Sequence, residues 1–145
     1  MSAALRDIPQ PDFVDLAATV LPPGATTDPT RWANEIFSVG AAPLPVKVLM
    51  ALRQALVPLL GIPRADRSAF TVTEVVGDEA LMVGDDVHLD FRLGVGVDAA
   101  RGLVRLTTVV RLKGPRGRLY FLPVRLLHSV IVHAMLRAAA RRLSP

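Results

Sequence analysis

The residues best equipped for chemistry in this 145-residue chain stand in one run, Gly84-Asp85-Asp86-Val87-His88-Leu89-Asp90-Phe91-Arg92. A glycine and two acids predict a turn, and the residues after it alternate strictly. Val87, Leu89 and Phe91 fall on one face of a strand, and His88, Asp90 and Arg92 on the other. An imidazole, a carboxylate and a guanidinium on a stiff element can position an enolate or carbonyl. They can equally be a charge-paired, solvated face, the plainer reading for an antiparallel sheet with one wet side. Asp85 and Asp86 read first as turn formers whose side chains bond nearby backbone N–H groups, with an acid at a cavity rim as the functional alternative.

The second candidate is His128. It shares a helical face with Ile131 and Met135, where a core histidine would sit. Pointed into a cavity it becomes the best general base in the chain, because its pKa lies near neutrality. The catalytic candidates are therefore His128, Asp90 and Tyr120, with His128 as base or acid and Asp90, Arg92 or Tyr120 positioning an oxyanion. Tyr120 and Trp32, each the only residue of its kind, also suit a cavity wall or ordinary core packing.

His88, Asp90 and His128 together would make a two-histidine, one-carboxylate metal set, but a strand face and a helix residue must converge for that. His133 is five residues beyond His128 and cannot pair with it at helical spacing. No metal and no cofactor are expected. The chain has no cysteine, which removes thiolate nucleophiles, disulfides and cysteine-based zinc sites. It has no Gly-x-Ser-x-Gly elbow. Gly94-Val95-Gly96 lies within a strand and is not followed by a helix, so it is no dinucleotide loop.

The elements that would hold these residues follow from periodicity. Residues 1–11, with Pro9 and Pro11, read as a loose leader, and 12–145 as a single domain. Phe13 to Leu21 predicts a first strand, stopped by Pro22-Pro23-Gly24. Asp28-Pro29 predicts an N-cap and first helical residue, with a helix to about Ser38. Val48, Leu49, Leu52, Leu56 and Leu59 predict a second helix over Pro45 to Leu60. Phe70 to Val76, Ala80 to Val83, Val87 to Val97 and Gly102 to Leu112 predict a four-strand meander. Its turns fall at Gly77-Asp78, at Gly84 to Asp86 and at Asp98 to Arg101. A four-residue turn at 98–101 would set Arg92 opposite Thr107 and His88 opposite Arg111. Gly114 to Gly117 is a last turn, and a helix begins near Pro123 and runs to about Leu143, roughly 30 Å.

Composition narrows the functional classes. The hydrophobic share is 51% and mean hydropathy +0.40, so disorder is not expected and an apolar cavity or partner surface is a natural use of the excess. Net charge is +4 and the pI near 10.6. The basic residues are nearly all arginine, a bias associated with high-GC bacterial genomes. They are spread along the chain except for Arg137, Arg141 and Arg142. No aromatics interleave with that cluster, so nucleic-acid binding is not expected; arginines there complement a helix dipole. The first eleven residues lack an apolar segment, and no signal peptide is expected. Leu119 to Ala140 is interrupted by Pro123, Arg125, His128, His133 and Arg137, which argues against a membrane span. A cytoplasmic protein fits.

The order strand, two helices, meander, long helix predicts an α+β fold in which the last helix covers the apolar sheet face. Trp32, then Leu52-Arg53, Gly84 to Arg92, Thr107-Thr108-Val109-Val110, Gly117-Arg118-Leu119-Tyr120 and His128 resemble the bacterial domain of unknown function 2867. Members of that family look like relatives of START-like helix-grip proteins, which include lipid-transfer proteins and polyketide cyclases. The resemblance implies an antiparallel sheet curved around a C-terminal helix, with a ligand cavity between them. The residues that would line it are Trp32, Leu89, Phe91, Arg92, Leu106, Ile131 and Met135. Three functions remain open: non-catalytic binding of a small apolar or amphipathic molecule; a cyclase, dehydratase or isomerase acting on a polyketide-like metabolite; and a structural domain forming a homodimer through an apolar face.

Overall fold

The computed structural model describes residues 2–38, 71–85 and 89–145. The expected helix at Pro45 to Leu60, and Asp86, Val87 and His88, lie outside the described residues. The protein is α+β. Strand β1 (Phe13–Val20) is followed by helix α1 (Pro29–Ile36). Strands β2 (Glu74–Val76), β3 (Glu79–Asp85), β4 (Leu89–Asp98) and β5 (Leu103–Leu112) come next, and helix α2 (Gly114–Leu143) ends the chain. The sheet is antiparallel with order β1-β5-β4-β3-β2. β2 to β5 form the expected meander, and the apolar alternation of β1 lets it close against β5.

Asp28 caps α1 by accepting from the Thr30 amide at 2.9 Å, and Pro29 supplies a preset φ in the first turn. The buried face of α1, Trp32, Ala33 and Ile36, packs on the sheet together with Val132, Met135, Leu136 and Ala139 of α2. An ion pair between Arg142 and Glu35 ties the two helices. One sheet face meets them: Ala17, Ala80, Met82, Leu93, Val95, Val97, Val104 and Leu106. We call this face inner. The apolar side of β4 is thus the covered one, as alternation and the cost of exposing it require.

Four expectations are corrected. Gly84 and Asp85 are not a turn; they pair with Phe91 and Asp90 inside the β3–β4 ladder. Glycine is needed at 84 because the Phe91 ring lies across it, where a Cβ would collide. The β4–β5 register is set by Asp98↔Leu103, so Asp90 faces Arg111 and Arg92 faces Val109. The slip from the expected pairing is by two residues, which changes partners but leaves every side chain on its predicted face. The segment 114–117 is not a turn before a helix but the first turn of α2. That helix continues through Pro123 and is 45 Å long at 1.5 Å per residue, about half as long again as predicted. A proline costs the helix a hydrogen bond to the residue four before it, here Leu119, yet packing on β1 carries the helix across the gap.

The leader is also not loose. Ala3–Leu5 form a turn of 3-10 helix on the outer sheet face, where buried Ala4 and Ile8 meet Leu81 and Val109. Glu79, 2% exposed, accepts from the Ser2 hydroxyl at 2.7 Å and the Ala3 amide at 2.8 Å. Gly94 allows this approach, since a Cβ there would run into the Glu79 carboxylate.

Candidate functional site

Alternation along β1 puts Phe13, Asp15 and Ala17 on the inner face. Asp15 thereby sets a carboxylate on a surface that is otherwise largely apolar. On α2, His128 lies one turn before Val132 and two before Met135, on the side that meets the sheet. The two elements bring His128 Nδ1 to 3.1 Å from Asp15 Oδ2. The Phe13 ring stands edge-on to the imidazole at 5.3 Å between centroids and to Phe121 at 5.1 Å. The Arg125 guanidinium lies 6.0 Å above Phe13. The pair sits at the β1 edge of the sheet, with 14% of the His128 and 24% of the Asp15 side chain exposed.

Burial pushes the His128 pKa below its usual value, and the opposing attraction of Asp15 does not restore it. Burial thus favours the neutral imidazole. A carboxylate beside Nδ1 favours the tautomer that donates from Nδ1 to Asp15, leaving the Nε2 lone pair as acceptor or base. Directly across from Asp15 in the β1–β5 ladder is Thr108. It is 4% exposed, and its hydroxyl has no hydrogen-bond partner among the described residues. Facing residues on neighbouring strands have Cβ atoms about 5 Å apart. Asp15 thus joins His128 by a direct contact and Thr108 by strand pairing, which gathers a carboxylate, an imidazole and a hydroxyl unpaired among the described residues at the β1 edge. Among the described residues no group of three or more His, Asp or Glu side chains converges to hold a metal.

A family model for proteins of unknown function (DUF2867) matches residues 8–135. The chain belongs to this family. Neither a curated protein nor a solved structure matches it. The DUF2867 match spans Asp15, Thr108 and His128 alike.

The residues singled out from the DUF2867 sequence are distributed over both sheet faces. Asp90 is on the outer face, 2.7 Å from Lys113 Nζ, so it does not meet His128, and the two cannot share a metal or a substrate atom. Arg92 is also outer. Its Nη1 is 2.6 Å from Asp85 and its Nε 3.4 Å from Asp7, beneath the N-terminal segment. Asp90 and Arg92 therefore form a charge-paired face, with Lys113, Asp85 and Asp7 as their ion partners. Trp32, Leu106 and Met135 are packed in the inner core, with Phe91 and Ile131 against them. Trp32 is wholly buried and donates from Nε1 to the Thr26 carbonyl at 2.8 Å. Leu89 follows the inner alternation at the end of β4, opposite Leu112. Tyr120 lies on α2, its side chain outside the described atoms.

Sequence reasoning missed Asp15 and Thr108. The signal for Asp15 was present: in Phe13-Val14-Asp15-Leu16-Ala17 the acid shares parity with the residues that face inward. A cavity of about 280 Å³ on the outer face, lined by Ser2, Arg6, Asp78, Glu79 and Arg105 among others, is separated from the Asp15–His128 pair by the sheet.

Proposed function

We propose that this DUF2867 protein binds a small amphipathic molecule between the sheet and α2, with the Asp15–His128–Thr108 cluster receiving its polar end. The observation that carries this reading is the buried Thr108 hydroxyl, without a partner among the described residues, directly across from a carboxylate that holds the His128 imidazole. A buried polar group left unpaired is costly; a ligand hydroxyl or carboxylic acid could donate to Nε2 while its oxygen accepts from Thr108, and a ligand carbonyl could accept from Thr108. Phe13 and Phe121 offer the apolar wall beside it. The strand–helix–meander–helix order supports the finer view of a START-like helix-grip domain; a bacterial cytoplasm and a small-molecule ligand belong to the same proposal.

One observation favours a second, catalytic reading. With Nδ1 held by Asp15, Nε2 is placed to take a proton next to a substrate carbonyl, and the Thr108 hydroxyl to donate to the enolate oxygen that develops. That chemistry is an isomerase's, dehydratase's or cyclase's.

A thermal-shift and titration panel of fatty acids and aromatic polyketide-like acids tests both. Binding should raise the melting temperature of the native protein, and His128→Asn and Asp15→Asn should weaken it by about tenfold, the worth of one good hydrogen bond to a charged or buried group. Solvent deuterium incorporated next to the carbonyl of a bound ligand, and lost in His128→Asn, would raise binding to catalysis. A panel without any shift, or variants that bind like the native protein, would overturn the assignment.

A further inference from the structure

The most apolar 18 residues of α2 have a mean hydropathy of 1.6, yet only 24% of that window is buried. The exposed part is ordered into a stripe. Leu119, Leu122, Leu126 and Val130 are 57–76% exposed and fall within an arc of about 80° at 3.6 residues per turn. The opposite side of the helix carries Phe121, His128, Val132 and Met135 against the sheet and α1. Four of the six arginines of α2 surround this stripe. Arg118 and Arg125 run along one side of it, and Arg116 and Arg137 lie beyond its two ends, all exposed. From Gly114 to Leu143 there is no aspartate or glutamate.

We propose that the first half of α2 docks on an anionic lipid surface, its leucine stripe in the acyl–headgroup boundary and its arginines among the headgroups. Apolar stripe and basic border are the two features by which an interfacial helix binds such a membrane. Charge decides against a second copy of the chain. Pairing this face with itself would bring Arg118 and Arg125 up to their own counterparts, with no acid on either helix to meet them. Spanning is excluded by the opposite face, which is committed to the sheet through the Asp15–His128 pair and the Phe13–Phe121 contact. The helix can therefore lie on a membrane but not cross it. This inference stands without the ligand proposed above.

Flotation of the full chain with vesicles tests it. The protein should float with equimolar phosphatidylglycerol and phosphatidylcholine, stay behind with phosphatidylcholine alone, and detach as salt is raised. The double variants Leu122→Asn/Leu126→Asn and Arg118→Glu/Arg125→Glu should each weaken partitioning by about tenfold or more. All four positions are exposed, so unchanged circular dichroism confirms that the variants fold. Equal flotation with both vesicle types, indifference to the variants, or no flotation would overturn the proposal. So would a concentration-dependent dimer that the leucine variant dissolves, since that assigns the stripe to a second copy.

Discussion

Each face of the sheet holds a sequestered carboxylate, and the protein treats the two differently. On the outer face Glu79 is nearly fully enclosed. Its Oε1 accepts from the Ser2 hydroxyl and the Ala3 amide; its Oε2, 3.8 Å from Arg105, has no hydrogen bond among the described residues, and the carboxylate lies against Gly94 at the wall of the outer cavity. Those contacts fasten the start of the chain across the sheet. On the inner face Asp15 is a quarter exposed, has one imidazole as its partner, and looks across at a hydroxyl that bonds to nothing described. The first carboxylate is engaged by structure. The second is the partly exposed one, and the proposed ligand would draw on the hydroxyl across from it. A buried acid by itself therefore points nowhere; what separates the two carboxylates is exposure, 24% of the Asp15 side chain against 3% of that of Glu79.

Removing the outer carboxylate should have the largest effect on stability. Glu79→Ala strands the Ser2 hydroxyl and the Ala3 amide and releases Ala4 and Ile8 from their contacts. A cost of about 2–3 kcal/mol is expected, the range for losing buried charge-assisted hydrogen bonds, measured as a lower urea midpoint. Proteolysis should then begin within residues 2–8. Ligand binding at the inner cluster should survive at permissive temperature. If Glu79→Ala abolished binding while the fold persisted, the division of labour between the two faces would fail.

The inner pair should contribute less to stability, and in a way that depends on pH. His128 has a pKa lowered in the folded protein, so the unfolded chain takes up its proton first as pH falls below about 6.5. Protonation then favours the unfolded state, and stability declines from that pH down toward the lowered folded value. Above pH 6.5 both states are neutral at this group and it adds no slope. Urea midpoints at pH 7.5 and 5.5 should therefore differ less in His128→Asn than in the native protein. An equal difference in the two would mean that the imidazole is not desolvated, and the case for a neutral base would fall with it.

Much of this architecture is legible in the chain because strand alternation and turn residues are local signals. The strand faces of β4 and β5 follow from parity alone, and an error of two residues in register could not disturb them. His128 was readable as the one histidine on a buried helical face. Its partner was not, because the pairing of β1 with β5 and the seating of α2 on β1 join residues 113 positions apart, and no spacing rule reaches that far. Asp90 was the more conspicuous acid only because it stands beside other charged residues in the sequence. That company is what a paired outer face looks like. The N-terminal segment misled for a related reason: prolines at 9 and 11 suggest a loose end, while Ala4 and Ile8 find Leu81 and Val109, and Ser2 finds Glu79 beside Gly94, only once the strands are aligned.

The smallest expected effect bears most directly on the inner cluster, and its sign carries the information. Thr108→Val keeps the shape of the side chain and removes a buried hydroxyl that has no partner among the described residues. Burying an unsatisfied hydroxyl is unfavourable, so its replacement by a methyl group should leave stability unchanged or raise it by up to about 1 kcal/mol. If instead the hydroxyl turns to donate to Asp15 in solution, the same substitution should destabilise by a similar amount, and the His128 pH dependence should shift with it because Asp15 would lose a donor. Neutral or positive stability combined with weaker ligand binding is the signature of a group held ready for a ligand. Stability lost together with binding would make Thr108 a second prop of Asp15, and the inner face would then resemble the outer one.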